Sequence, residues 1–150
     1  WQNATLRNNL FLGATGYAVE TGSHDQRVSL DYNGYRRADG ERLFKWFDGV
    51  QYTRYEDLVA FTEATGHEVH GRMVDFDVFV RATAPVEGHT YDGSEFDLTL
   101  ATAQGGIDAA LRLVNINDGF TGKAPDLGAF ERDVPPPHFG PRSLSASAAP

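Results

Sequence analysis

Three stretches of the chain share one spelling, an aliphatic residue followed three positions later by Asn or Asp: Leu6-Arg7-Asn8-Asn9, Leu30-Asp31-Tyr32-Asn33 and Val74-Asp75-Phe76-Asp77. Asn9 and Asn33 are 24 residues apart. A period in the twenties is the length of one coil of a β-solenoid, where each turn adds a strand to a stacked parallel sheet and an Asn at a bend bonds its counterpart above. From Asn33 to Asp77 the interval is 44 residues, so the rhythm is broken once. The surplus reads as an excursion at about residues 36–72, made of a hairpin over 43–52 around Asp48-Gly49 and then a helix.

Thr53-Arg54-Tyr55-Glu56 spells a capping box, which predicts a helix over 54–65 with Leu58 and Phe61 buried, Asp57 and Glu63 towards water, and Gly66 as its stop. Elsewhere 16 glycines separate short β-branched and aromatic runs, the pattern of many short strands and turns. Strands are predicted at 74–78, 96–100 and 127–130. From 133 to 150 the chain turns to Pro, Ser and Ala and reads as a tail, its first half through His138-Phe139-Gly140-Pro141 lying extended across the body.

With 150 residues the chain makes one domain, here 1–132 plus the tail, and its 41% hydrophobic content is that of a folded protein. Thirteen Lys and Arg against 21 Asp and Glu leave a net charge of −8, which argues against nucleic acid or an anionic membrane as partner. There is no cysteine, hence no disulfide, thiolate metal site or cysteine nucleophile. The longest apolar run, Leu58-Val59-Ala60-Phe61, is far short of the roughly 20 residues of a membrane-spanning helix. Because the chain starts at Trp1 without Met, it is expected to be processed or excised, any signal peptide lying outside it.

Five stretches resemble the C-terminal region of secreted bacterial right-handed parallel β-helix proteins of the pectate-lyase-like group. They are Arg7-Asn8-Asn9-Leu10-Phe11, Leu30-Asp31-Tyr32-Asn33-Gly34, Gly106-Ile107-Asp108-Ala109-Ala110, Asn115-Ile116-Asn117-Asp118-Gly119-Phe120, and above all Asp126-Leu127-Gly128-Ala129-Phe130-Glu131. The last is similar to the segment that closes the final coil in that group; Ala110 stands where the group has Gly. The resemblance implies an all-β, right-handed parallel β-helix, here its terminal coils and cap with one short inserted α-helix and a hairpin. It also implies a secreted or cell-surface bacterial protein that binds or degrades polysaccharide, as a lyase or glycoside hydrolase, often on acidic glycans and with Ca2+. Catalytic residues in such proteins lie mostly on central coils, outside this chain. The alternative is a non-catalytic adhesin, surface module or structural cap. On either reading the strand edge exposed by residues 1–12 needs a cover, either upstream coils or another chain.

Candidate sites follow from residue chemistry. Arg36, Arg37, Arg42 and Lys45 cluster near Tyr35, Trp46 and Tyr52; flat rings suit pyranose faces and cations suit carboxylates, while the same hairpin read as packing buries its aromatics and snorkels its cations. Asp31, Asp75 and Asp77, stacked on adjacent coils, would form a carboxylate row for acid–base work, or else the polar face of a half-buried strand. Asn115, Asn117, Asp118 and Asp126 supply hard oxygens at calcium-like density, although Phe120 stands where a calcium hand needs Gly and Asn-Asp-Gly is a common turn. His67-Glu68-Val69-His70 lacks one residue of the zinc-protease spacing and reads as a loop. Gly119-Phe120-Thr121-Gly122-Lys123-Ala124 is too short for a phosphate loop.

Overall fold

The computed structural model describes residues 3–21, 27–101 and 105–135. In chain order the elements are β1 (Thr5–Arg7), β2 (Leu10–Leu12), β3 (Val19–Glu20), β4 (Ser29–Asp31), β5 (Gly34–Arg36), β6 (Phe44–Phe47), β7 (Tyr52–Tyr55), α1 (Leu58–Thr65), β8 (Arg72–Met73), β9 (Phe79–Arg81) and β10 (Asp97–Leu100). Single 3-10 turns cover Phe76–Val78 and Gly93–Glu95.

The 24-residue interval has a structural counterpart. Leu6 pairs with Leu30 and Phe11 with Tyr35, both in parallel ladders, and Val19 pairs with Phe44 in a third. The two bends match as well: Asn8 and Tyr32 both take the left-handed conformation, with φ of 62° and 57°, and Asn8 N–H donates to Tyr32 C=O. Asn33 Oδ1 accepts from both the backbone and the side-chain N–H of Asn9, each at 2.9 Å, as the shared spelling predicts.

The expected right-handed parallel β-helix is nevertheless not what these residues form. They make four small sheets of two or three strands: parallel β1-β4 and β2-β5-β8, mixed β3-β6-β7 and antiparallel β9-β10, with one helix; no solenoid is evident. The reason lies after the first repetition. The next partner of β5 is only two residues long and 38 positions away, Gly34 pairing with Arg72. Beyond it Asp75 accepts from the N–H of Phe76 at 2.7 Å and starts a 3-10 turn, so local capping wins over the strand predicted at 74–78.

Two further expectations change. Thr53 and Arg54 belong to β7, because β-branched and aromatic residues opposite β6 favour the ladder over the helix. Helix α1 therefore starts later, capped by Asp57 on Ala60 N–H at 2.8 Å and closed by left-handed Gly66, with Leu58 and Phe61 buried as expected. The hairpin turn is where Asp48-Gly49 put it; Asp48 Oδ1 accepts from the N–H groups of Val50 and Gln51. Residues 127–130 form turns instead of a strand.

Two cores result. The main one gathers Val19, Leu30, Tyr35, Leu43, Phe44, Trp46, Leu58 and Phe61. Phe61 stacks on Phe44 at 4.0 Å and meets Trp46 and Tyr55 edge-on, so α1 is fastened to the inner face of the hairpin. The second core is Leu10, Ala109, Ala110 and Leu127, where the C-terminal segment packs on β2 and β5. Gly34 lets these side chains close in, since a Cβ would stand 2.6 Å from Leu10 Cδ2 and make that side chain shift.

Residues 126–131 close on themselves. Glu131 Oε2 accepts from Asp126 N–H at 3.0 Å, and Asp126 Oδ2 accepts from Arg132 N–H at 2.7 Å. Between them Gly128, at φ 90°, donates its N–H to Asn8 C=O at 2.8 Å. The Asn8 side chain grips Leu111 through two bonds of 2.8 Å. The chain's own C-terminal segment thus covers the N-terminal edge at Asn8. Of the tail, residues 136–150, His138-Phe139-Gly140-Pro141 among them, lie outside the described residues.

Candidate functional site

Strand alternation divides the β6-β7 hairpin into two faces. Inward go Phe44 and Trp46, opposite Tyr55 and Thr53. Outward go Lys45 opposite Arg54, and Phe47 opposite Tyr52, so two cations and two rings sit as adjacent cross-strand pairs. The Phe47 and Tyr52 rings are 4.9 Å apart, and Lys45 Nζ lies 4.9 Å from the Tyr52 ring centre. Lys45 pairs with Glu20 of β3, and Arg54 Nε donates to Tyr17 Oη at 2.9 Å. Arg54 makes no ion pair among the described residues. Like charges directly opposite in a ladder destabilise it. A chain of net charge −8 has nevertheless placed two cations there.

Only part of the predicted sugar surface is here. Lys45 and Tyr52 belong to it, whereas Tyr35 and Trp46 are 0% and 7% exposed and serve the main core, so neither ring can stack on a sugar. Arg36 turns away, bonding Asp75 Oδ1 at 2.8 Å and Gly13 C=O at 3.0 Å beside the Phe76 ring. Arg42 sits 3.8 Å from Glu56, and Arg37 donates to Glu56 C=O. Sequence reasoning missed Arg54 by placing it in the helix. The period-2 run Tyr52-Thr53-Arg54-Tyr55, read against Phe44-Lys45-Trp46-Phe47, was the signal that could have found it.

The carboxylate row does not form. Asp31 is in register with Arg7 on β1, Asp75 caps a 3-10 turn, and Asp77 lies within that turn. Asp75 is held below the usual carboxylate range by the Phe76 N–H and then by Arg36. Asp75 and Asp77 share an open cavity of about 340 Å³ with Met73, Val74 and Gly105. Asp31 instead joins the segment the sequence marked as a loop. Its Oδ1 accepts from His70 N–H at 2.7 Å and its Oδ2 lies 2.9 Å from His70 Nδ1, while the imidazole stacks on Tyr32 at 4.3 Å. Burial pushes Asp31 up, but bonds from the His70 ring, His70 N–H and Tyr32 N–H together hold it below the usual range.

Two residues earlier, Glu68 is 2% exposed. Its Oε1 accepts from Asn33 Nδ2 and from Tyr35 Oη, each at 2.7 Å. Burial raises Glu68 above its ordinary value against the pull of these bonds, and raises the Tyr35 phenol as well. Glu68 thereby takes over from Asn33 the role that Asn33 plays for Asn9.

The oxygen-rich run is engaged by N–H donors. Asn117 Oδ1 accepts from Leu113 N–H, Asp118 from Asn115 N–H and Arg112, and Asp126 from the N–H groups of Asp108 and Arg132. Asn115 itself takes the left-handed conformation of a turn, with φ 66°. Among the described residues no group of three His, Cys, Asp or Glu is disposed to hold a metal ion. The glycine loop at 119–124 does cradle an anion, the chain's own Asp108, whose Oδ1 accepts from Lys123 N–H at 2.7 Å and Ala124 N–H at 3.1 Å. No helix of the described residues is long and apolar enough to cross a membrane.

No family model matches this chain, and no curated protein or solved structure matches it either.

Proposed function

We propose that this is a polysaccharide-binding module of the cell surface or exterior, holding an acidic glycan on the outer face of the β6-β7 hairpin. The observation that carries this reading is the pairing of Lys45 with Arg54 beside Phe47 with Tyr52 on a solvent-facing ladder. Rings offer apolar faces to pyranose C–H groups, and a guanidinium offers a fork to a carboxylate. Asp31 and Asp75 are tied to His70 and Arg36, so the arrangement favours binding over cleavage. Calorimetry with polyuronate and with neutral dextran tests it. Arg54→Ala and Tyr52→Ala are each expected to weaken polyuronate binding about tenfold, with no change in fold. Equal affinity of wild type and both variants, or no polyuronate binding at all, overturns it.

A second reading rests on a different observation. Among the described residues, strands β1, β2 and β3 are each paired on one side only, all parallel to their partners. On this reading another protein chain adds strands beside β1, β2 or β3, away from Asn8, whose C=O Gly128 already engages. Light scattering over a concentration series, alone and with candidate surface proteins, separates the two.

A further inference from the structure

Residues 66–71 return the chain from α1 to β8 and are fastened at two points. Glu68 N–H donates to Leu30 C=O at 2.9 Å while its carboxylate is buried against Asn33 and Tyr35. Two residues on, His70 holds Asp31 through both its backbone N–H and its ring. The same segment grips the helix, Thr62 Oγ1 donating to Glu68 C=O at 3.2 Å. Close packing adds to the fit: a Cβ on Gly71 would stand 2.7 Å from Glu68 Oε2.

We propose that this strap is a proton-operated latch, which holds the C-terminal end of α1 against β4 and β5 in mildly acidic surroundings and loosens as the surroundings turn alkaline. The titrating group is the carboxylate of Glu68, buried against Asn33 and Tyr35. Glu68 sits in a site that disfavours its charge, so its contribution is full below the ordinary carboxylate value of 4.5 and is lost as pH rises through its raised folded value. The negative charge of Asp31 adds to that rise, and the His70 N–H and ring hold Asp31 in place beside the strap. Asp31 itself stays ionised as the surroundings turn alkaline, being held below its usual range. Other ionisable and charged groups around the latch include Arg7, the register partner of Asp31 on β1; Tyr32 on the β4-β5 bend; Tyr35 on β5; Arg72 of β8, whose N–H donates to Asn33 C=O; and His67 within the strap, its ring 5.2 Å from Trp46. The inference is independent of the glycan reading.

Amide hydrogen exchange on the whole chain tests it, comparing protection of the Glu68 and His70 N–H groups with that of Ala18 and Thr21, whose bonds to Leu43 and Lys45 lie outside the strap. The ratio is expected to fall about tenfold between about pH 5.5 and about pH 8, as the buried Glu68 carboxyl loses its proton. Glu68→Gln, which keeps the shape and loses the charge, and Asp31→Asn, which removes the partner's charge, are each expected to flatten that fall. A ratio constant with pH in the wild type, or a fall undiminished in Asp31→Asn, overturns the latch. Should Glu68→Gln fail to fold, Asp31→Asn decides the matter alone.

Discussion

Residues 5–73 and residues 74–135 are held together by different means. In the first region backbone ladders do the work, and rings from five elements, Phe11, Tyr35, Phe44, Trp46, Tyr55 and Phe61, interlock behind them. Among the described residues of the second only β9 and β10 pair, and order comes from carboxylates and amides that accept backbone N–H groups: Asp75, Asp92, Asp108, Asn117, Asp126 and Glu131. Burial of rings is non-directional and tolerates repacking, whereas a carboxylate that closes a turn depends on one geometry. The first region should therefore respond to loss of volume and the second to loss of single oxygens.

The largest expected effect is on the ring core. Phe61→Ala removes the ring that touches Phe44, Trp46, Tyr55 and His67, and should cost about 3–5 kcal/mol in urea unfolding. Asn33→Ala comes next, at about 2–3 kcal/mol, because it leaves Asn9 N–H without its acceptor and takes one bond each from Leu6 C=O and buried Glu68. Smaller again, Asp126→Ala should cost about 1–2 kcal/mol, since it strands the N–H groups of Asp108 and Arg132. Exchange rates sharpen the comparison: Asp126→Ala should expose amides over 106–131 and leave Thr21 and Gly34 protected. Uniform loss of protection would show instead that the two regions unfold as one unit.

How far all this was legible in the sequence differs between the regions in the same way. Leu6, Leu30, Asn9 and Asn33 announced a stacked pair of strand units because spelling and spacing agreed, and Asp48-Gly49 announced the hairpin. Extending the rhythm to Asp77 failed, since the residue that continues the Asn9–Asn33 ladder is Glu68, of another type and 35 positions after Asn33. No pattern of period two or 3.6 reports a buried Glu reaching across a loop. Thr53 and Glu56 match a capping box in isolation, and it is pairing with Trp46, 7 positions earlier, that makes Thr53 a strand residue. The sequence leaves Tyr35 and Trp46 open between a sugar-facing surface and hairpin packing, because composition cannot tell which face of a strand an aromatic takes. Residues 126–131 were recognisable as a unit, yet their reciprocal carboxylate bonds required coordinates.

The smallest expected change in stability carries the most weight for function. Arg54 faces Lys45 across the ladder, and Glu20 balances only Lys45. Replacing Arg54 by Gln removes the like-charge contact and keeps a side chain able to reach Tyr17, so the domain should become more stable by about 0.2–1 kcal/mol. Removing a merely structural arginine would cost stability instead, through its lost bond to Tyr17 Oη. If Arg54→Gln stabilises the chain and weakens polyuronate binding together, the cation is held at the expense of the fold, as residues kept for binding are. If it destabilises the chain and leaves binding unchanged, Arg54 belongs to the packing of the hairpin, and the outer face loses its claim to be a site.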